Sequence, residues 1–175
     1  MQPEIQPSTV PTACENWITV TEVADGAFFV DELFQRKYRQ IPPDFGRHIV
    51  AFYRDRNGAF QTLSYLHFWR QERIGLIGGG CTDGEVMRSM EPEHARIISE
   101  EGGVLRQTLL YAFTRFHNEI DAFFGHAGDH RARQVDLAAG FLETSDEHLL
   151  IRPVRPLSTE EEAALFAQAK ALGNF

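Results

Sequence analysis

Cysteine is scarce in this 175-residue chain: Cys14 and Cys81 stand far apart and form no disulfide pattern. No uninterrupted apolar run approaches the roughly 18 residues that cross a bilayer. The opening Met1-Gln2-Pro3-Glu4-Ile5 has neither the charged start nor the apolar centre of a secretion signal. A reducing cytoplasm is therefore the expected compartment, and no membrane partner is expected. Positive charge is also in deficit. Seventeen basic residues face 25 acidic ones, giving a net charge of -8, and such a surface repels phosphate backbones, so nucleic acid is not the expected partner. Lysine is nearly absent among the basic residues, which reads as base composition of the coding sequence.

What is present suits a globular domain. Apolar residues make up 43% of the chain and 14 are Phe, enough for one core. Residues 1–13, with three Pro and no periodicity, read as a flexible lead-in; residues 14–157 read as the domain and 158–175 as a C-terminal helix. Trp17–Val23 alternates as a strand, and Gly26–Gln40 has a helical face of Phe29, Leu33, Phe34 and Tyr38. His48–Tyr53 and Phe60–Trp69 form a hairpin around Asn57-Gly58. Ile74–Cys81 and Glu85–Met90 are two further extended candidates. A long helix begins at Val104, Ile120–Phe124 ends it or opens a strand, and Asp129–Ala139 is a shorter helix before Gly140. Phe141-Leu142 pairs with His148–Ile151, and Ser158 with Glu161 forms a capping box.

Asp129-x-x-Ala132-x-x-Val135-Asp136-x-Ala138-x-Gly140-Phe141 resembles the closing signature of the GNAT acetyltransferase superfamily. Pro92-Glu93-His94 resembles the Pro-Glu-Tyr after that family's central strand, and Gly102-Gly103 with Leu109-Leu110 resembles its glycine-rich turn into a helix. The resemblance spans residues 17–153. It implies an α/β fold with a mixed, mostly antiparallel sheet flanked by helices. It also implies transfer of an acetyl or longer acyl group from acetyl-CoA or another acyl-CoA to a small-molecule or peptide amine. Gly102, Gly103, Val104, Leu105 and Arg106 would cradle the pyrophosphate with backbone amides at a helix N-terminus, and Asp129 is a further cofactor contact.

For catalysis, Glu85 at the start of the supposed central strand is the candidate base. Asp136 occupies the position where many members carry a Tyr that protonates the leaving thiolate. A carboxylate with an ordinary pKa is ionised at neutral pH and cannot donate a proton unless burial raises that value. Ile77-Gly78-Gly79-Gly80-Cys81 lacks the spacing of a nucleotide-binding loop and reads as a bulge or a close backbone approach. Cys81 reads as a buried filler rather than a nucleophile. His126, Asp129 and His130 have the spacing of ligands on one helical face, but Gly125 and Gly128 break that helix, and no metal is assigned. The aromatics of the first half read as core, or in part as the lining of an apolar acceptor pocket. A non-catalytic ligand-binding or interaction protein on the same scaffold remains open, as does a homodimer.

Overall fold

The central hairpin forms around Asp55, whose carboxylate accepts the amides of Asn57 and Ala59 and fixes the Asn57-Gly58 turn between β2 (Arg47–Arg54) and β3 (Phe60–Gln71). The computed structural model describes residues 10–173 and 175. Before the hairpin come β1 (Ile18–Val23) and helix α1 (Gly26–Tyr38), capped by Asp25 and ended by Arg39 in a left-handed conformation. After it come β4 (Ile74–Thr82), helices α2 (Gly84–Ser89), α3 (Pro92–Glu100) and α4 (Val104–Phe116), and β5 (Ala122–His126). Helix α5 (His130–Ala138), strands β6 (Leu142–Glu143) and β7 (Leu149–Pro153), and helix α6 (Thr159–Ala171) complete the order. The capping box of Ser158 and Glu161 is formed.

Seven strands make one sheet in the order β1-β2-β3-β4-β5-β7-β6. Among the described residues every pair is antiparallel except β4 with β5. This is the mixed, mostly antiparallel α/β sheet, flanked by helices, that the resemblance implied.

One face carries α4. Its Leu109, Ala112, Phe113 and Phe116 pack on Ile49, Leu66, Phe68, Phe123 and Leu150, with Phe68 and Phe116 stacked at 4.2 Å. On the other face α1 places Val30, Leu33 and Phe34 over Val50, Tyr65 and Cys81. There α6 lays Ala169, with Leu165 and Phe166, over Leu76, Ala122, Phe124 and Ile151. The C-terminal helix thus packs Leu165, Phe166 and Ala169 against its own sheet.

The start of the parallel pair is clamped. Asp121, just before β5, accepts from Arg73, just before β4, in a two-pronged ion pair, and from Arg155 at 3.0 Å. The Asp121 amide also donates to the Arg73 carbonyl at 2.7 Å. These guanidinium hydrogen bonds hold the Asp121 carboxyl down at about 2.

Three expectations change. Glu85–Met90 is helical because the Asp83 carboxylate accepts the amides of Glu85 and Val86, a cap that a reading of alternation overlooks. Pro92-Glu93-His94 does not trail a strand; it is the first turn of α3, where Pro has no amide to lose and Glu93 faces the helix dipole. Val10 is buried with Cys14 and Trp17, so the part of the lead-in that is described joins the core, while residues 1–9 lie outside the described residues.

Asp121→Asn should cost about 1.5–3 kcal/mol, the usual range for hydrogen bonds to a charged group. A carboxyl lowered on folding stabilises above its unfolded value and loses that contribution as pH falls. The difference between wild type and variant in urea unfolding should therefore be full above pH 5 and vanish as pH approaches about 2.

Candidate functional site

Glycine decides the shape of β4. The strand pairs with β5 only from Ile74 opposite Ala122 to Ile77 opposite Gly125. Beyond that point β5 continues only to His126, still paired with Leu149 of β7, while β4 runs on beside β3 to Thr82. The two strands thus part after Ile77 and Gly125 and open a wedge.

A β-bulge coincides with the parting. His67 of β3 opposes Gly78 and Tyr65 opposes Cys81, so Gly79 and Gly80 stand where β3 has only Leu66. Gly79 has φ 61°, a conformation that disfavours a side chain. The bulge takes two residues of β4 out of the regular ladder. One carbonyl is engaged from α1, because Tyr38 donates its hydroxyl to the Gly80 oxygen at 2.7 Å. Burial raises the Tyr38 phenol, which stays a donor at neutral pH.

The first turn of α4 reaches the bulge. Leu105 lies against Gly80, where an added methyl would sit 3.4 Å from its side chain. The N-cap residue, Gly103, has no side chain to satisfy the amides of that turn. Of the five residues expected to form the anion cradle, two use their amides elsewhere: Gly102 donates to the Ser99 carbonyl and Gly103 to the Ile98 carbonyl, closing the end of α3. Val104, Leu105 and Arg106 occupy the first turn of α4, whose amides an α-helix cannot use internally. Arg106 donates to the Ala138 carbonyl at 3.2 Å and so ties this turn to the last turn of α5.

Asp136 lies on α5, the helix whose last turn Arg106 ties to α4. Burial alone pushes its carboxyl up to about 7, so near neutral pH protonated and ionised forms coexist. Asp129 caps α5 by accepting the Ala132 amide at 2.8 Å, which draws its pKa down. His130 is the first residue of α5 and His126 the last of β5, so the three do not share a helical face. Among the described residues no three His, Cys, Asp or Glu side chains cluster closely enough to hold a metal ion.

Glu85 was expected at the start of the central strand; it lies past the far end of β4, in the first turn of α2, with a largely exposed side chain 3.9 Å from Arg36. The buried carboxylate there is its neighbour Asp83, which caps α2 and pairs with Arg36 of α1. The Cys81 thiol is buried and pushed up to about 12, which leaves it protonated. The aromatics divide: Phe34, Tyr53, Tyr65 and Phe68 are core, whereas Phe28, Phe45 and Phe60 are exposed.

Tyr38 is the contact that the sequence did not disclose, since in the pattern it was one more apolar position on α1. No family model and no curated protein matches the chain. Among solved structures it is similar to an acyl-CoA N-acyltransferase from Pseudomonas aeruginosa, at 14% identity and TM-score 0.47, over 77% of this chain and 97% of that one. It is similar also to the ribosomal-protein-S18-alanine N-acetyltransferase from Escherichia coli, at 10% identity and TM-score 0.48, over 81% and 97%. A GNAT-family acetyltransferase from Staphylococcus aureus is similar at 10% identity and TM-score 0.46, over 79% and 99%.

Asp136 gives a prediction independent of any ligand. Its folded pKa of about 7 lies above the ordinary 3.8, so the folded state retains a proton that the unfolded chain releases, and stability falls as pH rises between the two values. Asp136→Asn removes that penalty. The variant's melting temperature should exceed that of wild type at pH 8 and match it at pH 3.5.

Proposed function

We propose that the chain is an acyltransferase that moves an acetyl or longer acyl group from a CoA thioester to an amine. The observation that carries the reading is the backbone-lined wedge between β4 and β5, with the first turn of α4 held against its glycine bulge. The wedge suits a narrow, extended ligand because no side chains project from Gly78, Gly79 and Gly80 into the parting. An anion at one end of that ligand finds the amides of Val104, Leu105 and Arg106 and the positive end of the α4 dipole. A pantetheine arm with a pyrophosphate at its end has this form, and the sequence resemblance implies the same partner.

The chemistry then divides between orientation and proton supply. Holding the thioester between the strands fixes it for attack, and backbone amides at the bulge can polarise its carbonyl. Departure of sulfur needs a proton. Asp136, raised to about 7 and carried on the helix that Arg106 ties to the α4 turn, is the donor in this proposal. It would thus take the part of the Tyr that the resemblance places at its position. The acceptor is a small-molecule or peptide amine, whose cationic form the acidic surface attracts. Glu85, exposed and beyond the strand, is left without a part in the transfer.

The test is thermal unfolding with acetyl-CoA, octanoyl-CoA and desulfo-CoA, because a ligand of the folded state at 100 times its Kd stabilises by about 2.7 kcal/mol. At least one should raise the midpoint, and Arg106→Glu should reduce that gain when each protein is compared with its own unliganded midpoint. No shift with any thioester or with desulfo-CoA would overturn the reading. In turnover assays kcat should decline as pH rises through about 7. Asp136→Asn should lower kcat by at least about 100-fold, the usual lower bound for a positioned acid.

A further inference from the structure

An amine attacking a thioester must give up a proton, and the groups on the α4 side of the wedge serve the departing sulfur. Attention therefore falls on the opposite face. Ala122 and Phe124 of β5 point toward α6 and pack with Ala169, while Phe123 points toward α4. Alternation puts the next residue of the first set, His126, on the α6 face. The last parallel partner before it is Gly125, opposite Ile77, so His126 is level with Gly78 where the strands part.

Two contacts confirm that placement. The His126 ring has its centroid 6.1 Å from that of Phe175, edge to face, and Phe175 packs against the cluster beneath α6. A methyl added to Gly78 would lie 2.5 Å from the Phe175 main-chain oxygen, so Phe175 lies on the α6 side of the wedge. Gly78, His126 and Phe175 converge on one point.

From this geometry we infer that His126 is the base that takes the amine's proton, with Phe175 covering the mouth by which the amine arrives. The inference rests on the acyl-transfer reading and supplies the proton acceptor that reading lacks. In the step, the arriving ammonium first releases one proton to solvent, the neutral nitrogen then attacks the thioester carbon, and the carbon–sulfur bond breaks. The surplus proton on nitrogen passes to His126, and the sulfur takes the proton held by Asp136. Solvent then removes the proton from His126 and restores that of Asp136. The net change is amine plus acyl-CoA to amide plus free thiol.

The surroundings keep His126 ready to accept. Burial lowers its pKa, the His148 ring stacked at 5.7 Å lowers it further, and Asp146 works in the other direction. Asp146 is itself paired with Lys170 of α6 at 3.1 Å, which offsets part of its field. His126 is consequently neutral at neutral pH, while Asp136 still holds a proton in part of the molecules. The helix that carries the donor packs on the α4 face and the acceptor stands on the α6 face.

The experiment compares the full chain with His126→Gln, using acetyl-CoA and phenethylamine and detecting the released thiol. The variant should lose about 100-fold or more in kcat, as removal of a positioned base does. Its affinity for acetyl-CoA by calorimetry should stay within about 3-fold, a difference under 1 kcal/mol. The wild-type pH profile should have a rising limb on the acidic side of the ordinary histidine value, and the variant should lack it. Turnover within 3-fold of wild type, or an unchanged rising limb, would overturn the role of His126 and leave acyl transfer standing. Absence of acetyl-CoA binding in wild type would bring down both. Binding without turnover of the amine would count against His126 as a base while sparing the cradle. A milder variant, Phe175→Ala, should raise kcat/KM for phenethylamine several-fold by uncovering the mouth; an unchanged or lower value would remove the cover from the proposal.

Discussion

The parting of β4 from β5 is the constraint on which the rest of this structure depends. Two neighbouring strands diverge only if something holds them at one end and something breaks their pairing at the other. Asp121, gripped by Arg73 and Arg155, does the first at the point where both strands begin. The glycine bulge does the second, because it turns β4 to follow β3 while β5 follows β7. Helices then settle on both faces of a sheet whose two halves share only four residue pairs in parallel. A wedge in a core would ordinarily collapse, since unfilled space forfeits packing attraction. Here it is bordered by Leu105 on one side and Phe175 on the other.

The α4 turn illustrates how one element's end becomes another's beginning. Gly102 and Gly103, both at positive φ, donate their amides backward to close α3. That leaves Gly103 as an N-cap without a side chain, so the forward amides of α4 remain available to an outside anion. The insertion of α3 between β4 and α4 therefore does more than lengthen the connection. Its carbonyls fix the glycine pair, and the glycine pair fixes the direction in which α4 points.

Much of this was legible in the residues. The β2–β3 hairpin, the two-residue alternation of β1, the apolar stripe of α4 and the capping box of α6 each follow from a local pattern strong enough to survive tertiary context. The glycine triplet was readable as a bulge because three adjacent residues without side chains make a poor regular strand. Helix α2 was hidden because its start depends on one Asp83 carboxylate, and α3 because a family motif drew Pro92-Glu93-His94 toward a strand end. Asp136 shows the deeper limit. Its identity argued for an ionised surface group, and only the burial provided by folding reverses that. His126 likewise read as a partner of Asp129 and His130, since sequence spacing cannot show that a strand ends between them.

Because Gly78, Gly79 and Gly80 line the parting with main chain alone, β4 has no side chain there to vary. A methyl at Gly78 meets the Phe175 main-chain oxygen, Gly79 is held at positive φ, and at Gly80 it would touch Leu105 and Leu66. Divergence of this site among descendants of the chain is thereby displaced outward, to the helices and loops that frame the wedge. Exposed residues such as Phe28, Phe45 and Phe60 can drift without altering how the strands part. The scaffold separates what must stay fixed from what can change its taste in partners, and it does so by the absence of three β-carbons.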